Sequence, residues 1–77
     1  MLRFTIDNIE LGCAPYTRVT DNETAIAVDI EHRPLACARR YAVLNPWGRN
    51  VACKYKGAAL EVAKELLDAK ANELAKR

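Results

Sequence analysis

Residues 24–57, TAIAVDIEHRPLACARRYAVLNPWGRNVACKYKG, decide how this chain folds. Ile26, Val28 and Ile30 alternate with Ala27, Asp29 and Glu31, the period-2 pattern of a strand with one buried face. A turn is expected at Glu31-His32-Arg33-Pro34, because proline removes a backbone donor where ladder pairing should stop. Residues 35–44 then return as a second strand. Asn45-Pro46-Trp47-Gly48-Arg49 turns again, and residues 51–55 form a third, which gives an antiparallel meander. Pairing Ile30 with Leu35 and Val43 with Val51 collects Ile26, Val28, Ile30, Leu35, Cys37, Tyr41, Val43, Val51, Cys53 and Tyr55 on one face. That face is the expected core, since a one-residue slip would turn all of them outward. Arg39 falls on the same face opposite Ile26 and Tyr55, where it must snorkel to the rim or stack on Tyr55.

The opposite face reads Ala25, Ala27, Ala36, Ala38, Ala42 and Ala52, with Arg40, Lys54 and Lys56 among them. Alanine is poorly suited to an open sheet face. A flat surface of small side chains carrying cations suits close approach by something anionic.

Working outward, residues 1–9 alternate Leu2, Phe4 and Ile6 with Arg3, Thr5 and Asp7 and read as a strand. Gly12 and Pro15 interrupt residues 11–20, although Tyr16, Arg18 and Thr20 can resume an extended segment, and Asp21-Asn22 reads as a turn. Past Gly57 a helix is expected over residues 58–76. Leu60, Ala63, Leu67, Ala71 and Leu74, joined by Ala59, Val62 and Leu66, make its apolar stripe. Glu61 would sit in the first turn and Lys76 and Arg77 in the last, as the helix dipole prefers. One amphipathic helix and a single-sided sheet satisfy each other. The expected fold is α+β: a two-layer domain spanning residues 1–77, with a meander of three or four strands covered on one face by a single C-terminal helix.

Charge is distributed unevenly. The net charge is only +2 over 77 residues. Residues 1–31 set Asp7, Glu10, Asp21, Glu23, Asp29 and Glu31 against Arg3 and Arg18, whereas residues 32–57 hold Arg33, Arg39, Arg40, Arg49, Lys54 and Lys56 with no acid. Six cations without an interleaved acid attract phosphate backbones or an acidic protein surface. Trp47, at a hairpin tip between Pro46 and Gly48 and near Arg49, is either an interface anchor or a lid folded over the end of the core. The expected binding residues are therefore Arg33, Arg39, Arg40, Trp47, Arg49, Lys54 and Lys56.

Other chemistry is thin. His32 is the lone histidine, and Cys37 and Cys53 fall on the core face, where a thiol is an inert small hydrophobe. Cys13, His32, Cys37 and Cys53 would make a Cys3His set, but no pair has the short spacing of a structural zinc knuckle. No glycine-rich phosphate loop occurs, the three glycines being isolated. The expectation is a protein that is not an enzyme, with no cofactor, no metal and no catalytic residue. No apolar run approaches the ~20 residues that span a bilayer. An odd cysteine count without a secretion signal points to reduced thiols in a cytoplasm.

The meander-then-helix order over residues 24–77 resembles the arm-type DNA-binding domains of phage and transposon integrases, which have an AP2-like fold. That resemblance implies a sheet face laid in a major groove, presenting Arg40, Lys54 and Lys56. The alanine-rich face departs from it by offering few large polar base readers. In size, single-domain character and want of an active site the chain also resembles the small anti-CRISPR inhibitors that phages and mobile elements encode. That likeness implies a viral protein in the cytoplasm of a bacterial host, binding a protein or ribonucleoprotein complex and occupying a surface the complex needs. DNA is the alternative partner, and a homodimer joined through the alanine face is a third reading.

Overall fold

The computed structural model describes residues 2–10, 15–33 and 40–76. Five strands, β1 (Phe4–Ile9), β2 (Tyr16–Asp21), β3 (Ile26–His32), β4 (Tyr41–Leu44) and β5 (Val51–Cys53), precede one helix, α1 (Lys56–Ala75). The strands form a single antiparallel sheet in the order β1-β2-β3-β4-β5. The α+β architecture is as the sequence predicts, with five strands where three or four are expected. The added strand is β2: past Pro15 the alternation of Thr17, Val19 and Asp21 with Tyr16, Arg18 and Thr20 resumes, and β2 bridges β1 to β3.

Period-2 geometry sorts the side chains. Val19, Val28, Ile30, Val43 and Cys53 face the helix and form one buried cluster with its Ala59, Ala63 and Leu67. Those three helix residues are spaced i, i+4, i+8, one line along the helix. Two of them are alanines, so the helix backbone approaches the sheet closely where β3, β4 and β5 lie beneath it. At ~1.5 Å per residue a 20-residue helix is about 30 Å long and overruns a sheet whose fourth strand has four residues. Leu74, expected on the stripe, is therefore 37% exposed. At the other margin the helix leaves β1 largely uncovered, and Ile6 is 41% exposed.

The register between β3 and β4 differs from the expected one. Val43 partners both Ile30 and Val51, so Ile30 pairs with Val43 and not with Leu35. The offset from residue 35 to residue 43 is even. A shift of that kind moves the pairing along the strand without changing faces, so Val28, Ile30, Val43 and Cys53 are buried as expected, whereas Val51 and Tyr55, expected with them, are 37% and 65% exposed at the end of the sheet and the start of the helix. Glu31 and His32 accordingly continue the strand instead of turning. Among the described residues Ile26 pairs only with Asp21. Leu35, Ala36, Cys37, Ala38 and Arg39 lie outside the described residues, as does Cys13.

Two further corrections concern turns and caps. The β2–β3 turn starts at the end of a strand ending with Asp21. Its buried carboxylate accepts the Glu23 N–H at 2.9 Å, and its carbonyl accepts the Ala25 N–H at 2.8 Å. Ala25 is held there at φ 60°, so it belongs to the turn and not to the sheet face. The helix begins at Lys56, earlier than expected. Tyr55 is its N-cap and offers no side-chain bond, Glu61 falls beyond the first turn, and Lys76 is the C-cap residue. A lysine in the first turn opposes the helix dipole.

Candidate functional site

The cationic stretch does not lie across the middle of the sheet. Arg33 donates its backbone N–H to the Arg40 carbonyl at 2.6 Å, continuing the β3–β4 ladder by one pair beyond His32 and Tyr41. The β4–β5 register, with Tyr41 opposite Cys53, puts Arg40 level with Lys54. Arg33, Arg40 and Lys54 thus occupy one cross-strand row, on the side away from the helix, at the rim where β3 ends and β4 begins. All three are exposed.

Each has a different electrostatic setting. The Arg33 Nε donates to Glu31 Oε1 at 2.6 Å, both side chains about half exposed. Arg40 makes no ion pair with a described residue. The Lys54 ammonium lies 5.6 Å from the centroid of the Tyr55 ring, a cation–π contact. Arg49 lies in the β4–β5 turn at the far end of β4, about 16 Å away for five residues at ~3.3 Å each. Lys56 belongs to the helix, and Arg39 lies outside the described residues. Of the expected binding residues among those described, Arg33, Arg40 and Lys54 share one row, and Arg49 and Lys56 lie apart from it.

The sheet face between those ends is not an alanine plain studded with cations. Ala27, Ala42 and Ala52 lie on it, but so do Asp7, Arg18, Asp29 and Glu31, by the register of β1, β2 and β3. The Arg18 Nε donates to Asp29 Oδ1 at 3.0 Å. That carboxylate, with the Tyr16 ring 5.5 Å from the guanidinium, raises the Arg18 pKa further above its ordinary value. Acids from the first 31 residues therefore hold the centre of this face.

Behind the rim, on the helix side, a polar chain runs from the helix start into the sheet. Lys56 Nζ donates to Asn8 Oδ1 at 3.0 Å, and the Thr17 hydroxyl donates to the same oxygen at 2.8 Å. That hydroxyl, fully buried, is also 2.8 Å from His32 Nε2. A hydroxyl has one proton. Since Thr17 gives it to Asn8, it must accept from His32, which places the imidazole proton on Nε2 and leaves Nδ1 as the ring's other polar atom. His32 meets Tyr41 edge-on, with centroids 5.4 Å apart. Burial foremost, and then the Lys56 charge, push the His32 pKa below its ordinary value, against a smaller upward pull from Glu10. The sequence gives no hint of this chain, because Asn8, Thr17 and His32 come from three different strands.

A second polar cluster ties the N-terminal strand down. Arg3 Nη1 donates to Asp68 Oδ1 on the helix at 2.8 Å, Nη2 to Asp21 Oδ2 at 3.4 Å, and Nε faces Glu23 Oε2 at 3.5 Å. Burial alone would raise the Asp21 pKa. The Glu23 N–H, the Arg3 guanidinium and the Thr24 hydroxyl together hold it below the ordinary carboxylate range.

Trp47 folds back against the helix. A groove there is lined by Asn45, Trp47, Leu66, Ala69, Lys70 and Glu73, and the Lys70 ammonium lies 5.4 Å from the indole centroid. The ring lies beside the helix and is still 41% exposed.

Among the described residues no three of His, Cys, Asp and Glu stand close enough to share a metal ion. Cys53 is a buried free thiol of the core. No described helix is long and apolar enough to cross a membrane. No protein-family model matches this chain, and no curated protein and no solved structure matches it either.

Proposed function

We propose that this chain is a non-catalytic binding protein that sets the rim row Arg33–Arg40–Lys54 on an anionic macromolecular surface. In this reading it is an inhibitor of the anti-CRISPR kind, occupying a surface that a bacterial defence complex needs. The observation that carries the reading is the alignment of three exposed cations from β3, β4 and β5 in a single row, with Arg40 free of any acidic partner among the described residues. Charge concentrated at a rim raises the local potential and steers an oppositely charged partner.

The partner favoured is a protein or ribonucleoprotein surface rather than a duplex groove. A sheet that enters a major groove meets phosphates on both sides, and the face available here carries Asp7, Asp29 and Glu31 with Arg18 already paired. Those carboxylates repel the groove walls.

Retention on immobilised heparin tests the row. Arg40→Glu with Lys54→Glu should elute at clearly lower salt than the native chain, whereas Arg49→Glu with Lys76→Glu, the same change in charge, should elute close to it. Equal losses would refute the row as the docking site. Gel shifts with random duplex separate the partner classes. Three phosphate contacts would weaken duplex binding about 40-fold between 50 and 200 mM salt. A chain directed at protein holds heparin through the row and does not shift duplex.

A further inference from the structure

At the rim where β3 ends and β4 begins, Pro15, His32, Arg33, Arg40 and Tyr41 line a cavity of about 210 Å³. Pockets for drug-sized ligands run from about 300 to 1,000 Å³. This one suits a group of a few heavy atoms. Its described lining residues include two arginines, one histidine and one tyrosine, and no acidic residue. Arg33 is held by Glu31 through Nε, which leaves its two terminal nitrogens. The Arg40 fork has no side-chain hydrogen bond or ion pair among the described residues. The Tyr41 phenol has no hydrogen-bond partner among the described residues. The backbone bond between Arg33 and Arg40 fixes the two arginines at adjacent positions before any ligand arrives.

We propose that this cavity binds a small oxyanion of the phosphate class, free or as the ester of a small molecule. Guanidinium forks match the oxygen edges of a tetrahedral anion with paired N–H donors, and two positive charges are offset better by a dianion than by a carboxylate. Glu31 does not line the cavity and restrains Arg33 instead of filling the anion's place. The site shares Arg33 and Arg40 with the docking row but not Lys54, so an occupied cavity would draw two of the three cations away from a macromolecular partner.

Titration of the full chain, followed by amide chemical shifts at low ionic strength, tests the site with three probes: inorganic phosphate, glucose 6-phosphate and acetate. Phosphate or its ester should give saturable shifts centred on residues 32, 33, 40 and 41. The tighter of the two distinguishes a free anion from an esterified one. Arg40→Gln should weaken binding at least tenfold, and Lys54→Gln should leave it within twofold. Acetate binding as tightly as phosphate, an Arg40→Gln chain binding like the native one, or no saturable shift with either phosphate probe would each overturn the proposal. If phosphate does not bind while heparin retention still depends on Arg40 and Lys54, the cavity falls and the docking row stands. If phosphate saturates while the Arg40/Lys54 swap leaves heparin retention unchanged, the docking row falls and the cavity stands.

Discussion

Replacing Leu67 by alanine tests the contact on which the fold rests. Leu67 is 1% exposed and sits in the cluster that joins the helix to Val19, Val28, Ile30 and Val43. Removing three buried carbons loses their transfer energy and leaves a cavity, which costs about 3 kcal/mol in a site that relaxes only partly. A chain of 77 residues at ~0.05–0.15 kcal/mol per residue has about 4–12 kcal/mol of stability in all. The substitution therefore takes a quarter or more of it, and Tm should fall by about 12–24 °C. Leu74→Ala is the matched control, a leucine on the same predicted stripe but 37% exposed, with an expected loss under about 1 kcal/mol. Urea unfolding followed by far-ultraviolet circular dichroism measures both, and the midpoint should fall for Leu67→Ala with the slope unchanged. Similar losses from the two changes, or less than 1 kcal/mol from Leu67→Ala, would refute the docking of this helix face on the sheet.

The other perturbations probe the polar interior and the turns. Thr17→Val, close in shape, strips the hydroxyl that links Asn8 to His32 and should cost about 1–3 kcal/mol in urea unfolding, because it leaves the His32 N–H without its acceptor; a neutral result would mean that the hydroxyl is dispensable. Ala25→Gly should stabilise by about 1 kcal/mol, since glycine adopts the left-handed conformation at φ 60° without strain, and a lower Tm would contradict the turn geometry. Acidification should only destabilise. The unfolded chain binds its proton on His32 at higher pH than the folded one, so that contribution is complete above about pH 6.5 and is lost as pH falls toward the lowered folded value. Asp21 behaves likewise at lower pH, its contribution present above the ordinary carboxylate range and lost as pH falls through its depressed folded value. Tm measured at about pH 7.5, 5.5 and 3 should decline at each step, and a rise between the first two would overturn the placement of His32.

The division of the sheet into a buried and an open face was legible in residues 24–57, because alternation fixes which way each side chain points. Position along the strand was not. Arg40 reads as a mid-sheet residue when Leu35 pairs with Ile30, and as a rim residue when Val43 does, yet both registers give the same faces. β2 was hidden for a different reason: Gly12 and Pro15 break the pattern just before it, and Thr17 and Asp21, both fully buried, look polar in a sequence and belong to the core through their hydrogen bonds. The helix start carried no signal either, since Tyr55 caps it without a side-chain bond and a lysine opens its first turn.

The same meander that buries the apolar face also decides what becomes of the uneven charge. A sequence acidic through residue 31 and basic from 32 to 57 suggests two opposed surfaces, but antiparallel pairing folds the acidic strands over one another before the basic ones join. Asp29 then finds its cation within the acidic part, on β2 at Arg18, and Glu31 takes Arg33 from the first residues of the basic part. Exposed ion pairs of this sort contribute only a few tenths to about 1 kcal/mol each, too little to set the fold but enough to choose which charges stay unpaired. Ion pairing along the sheet reaches as far as Glu31 with Arg33, at the β3–β4 rim. Arg40 and Lys54 come after that point in the chain and next to each other in the sheet, and both are left without an acid among the described residues. The free positive charge is thus a consequence of strand order, and a partner that reads it meets the end of the sheet and not its face.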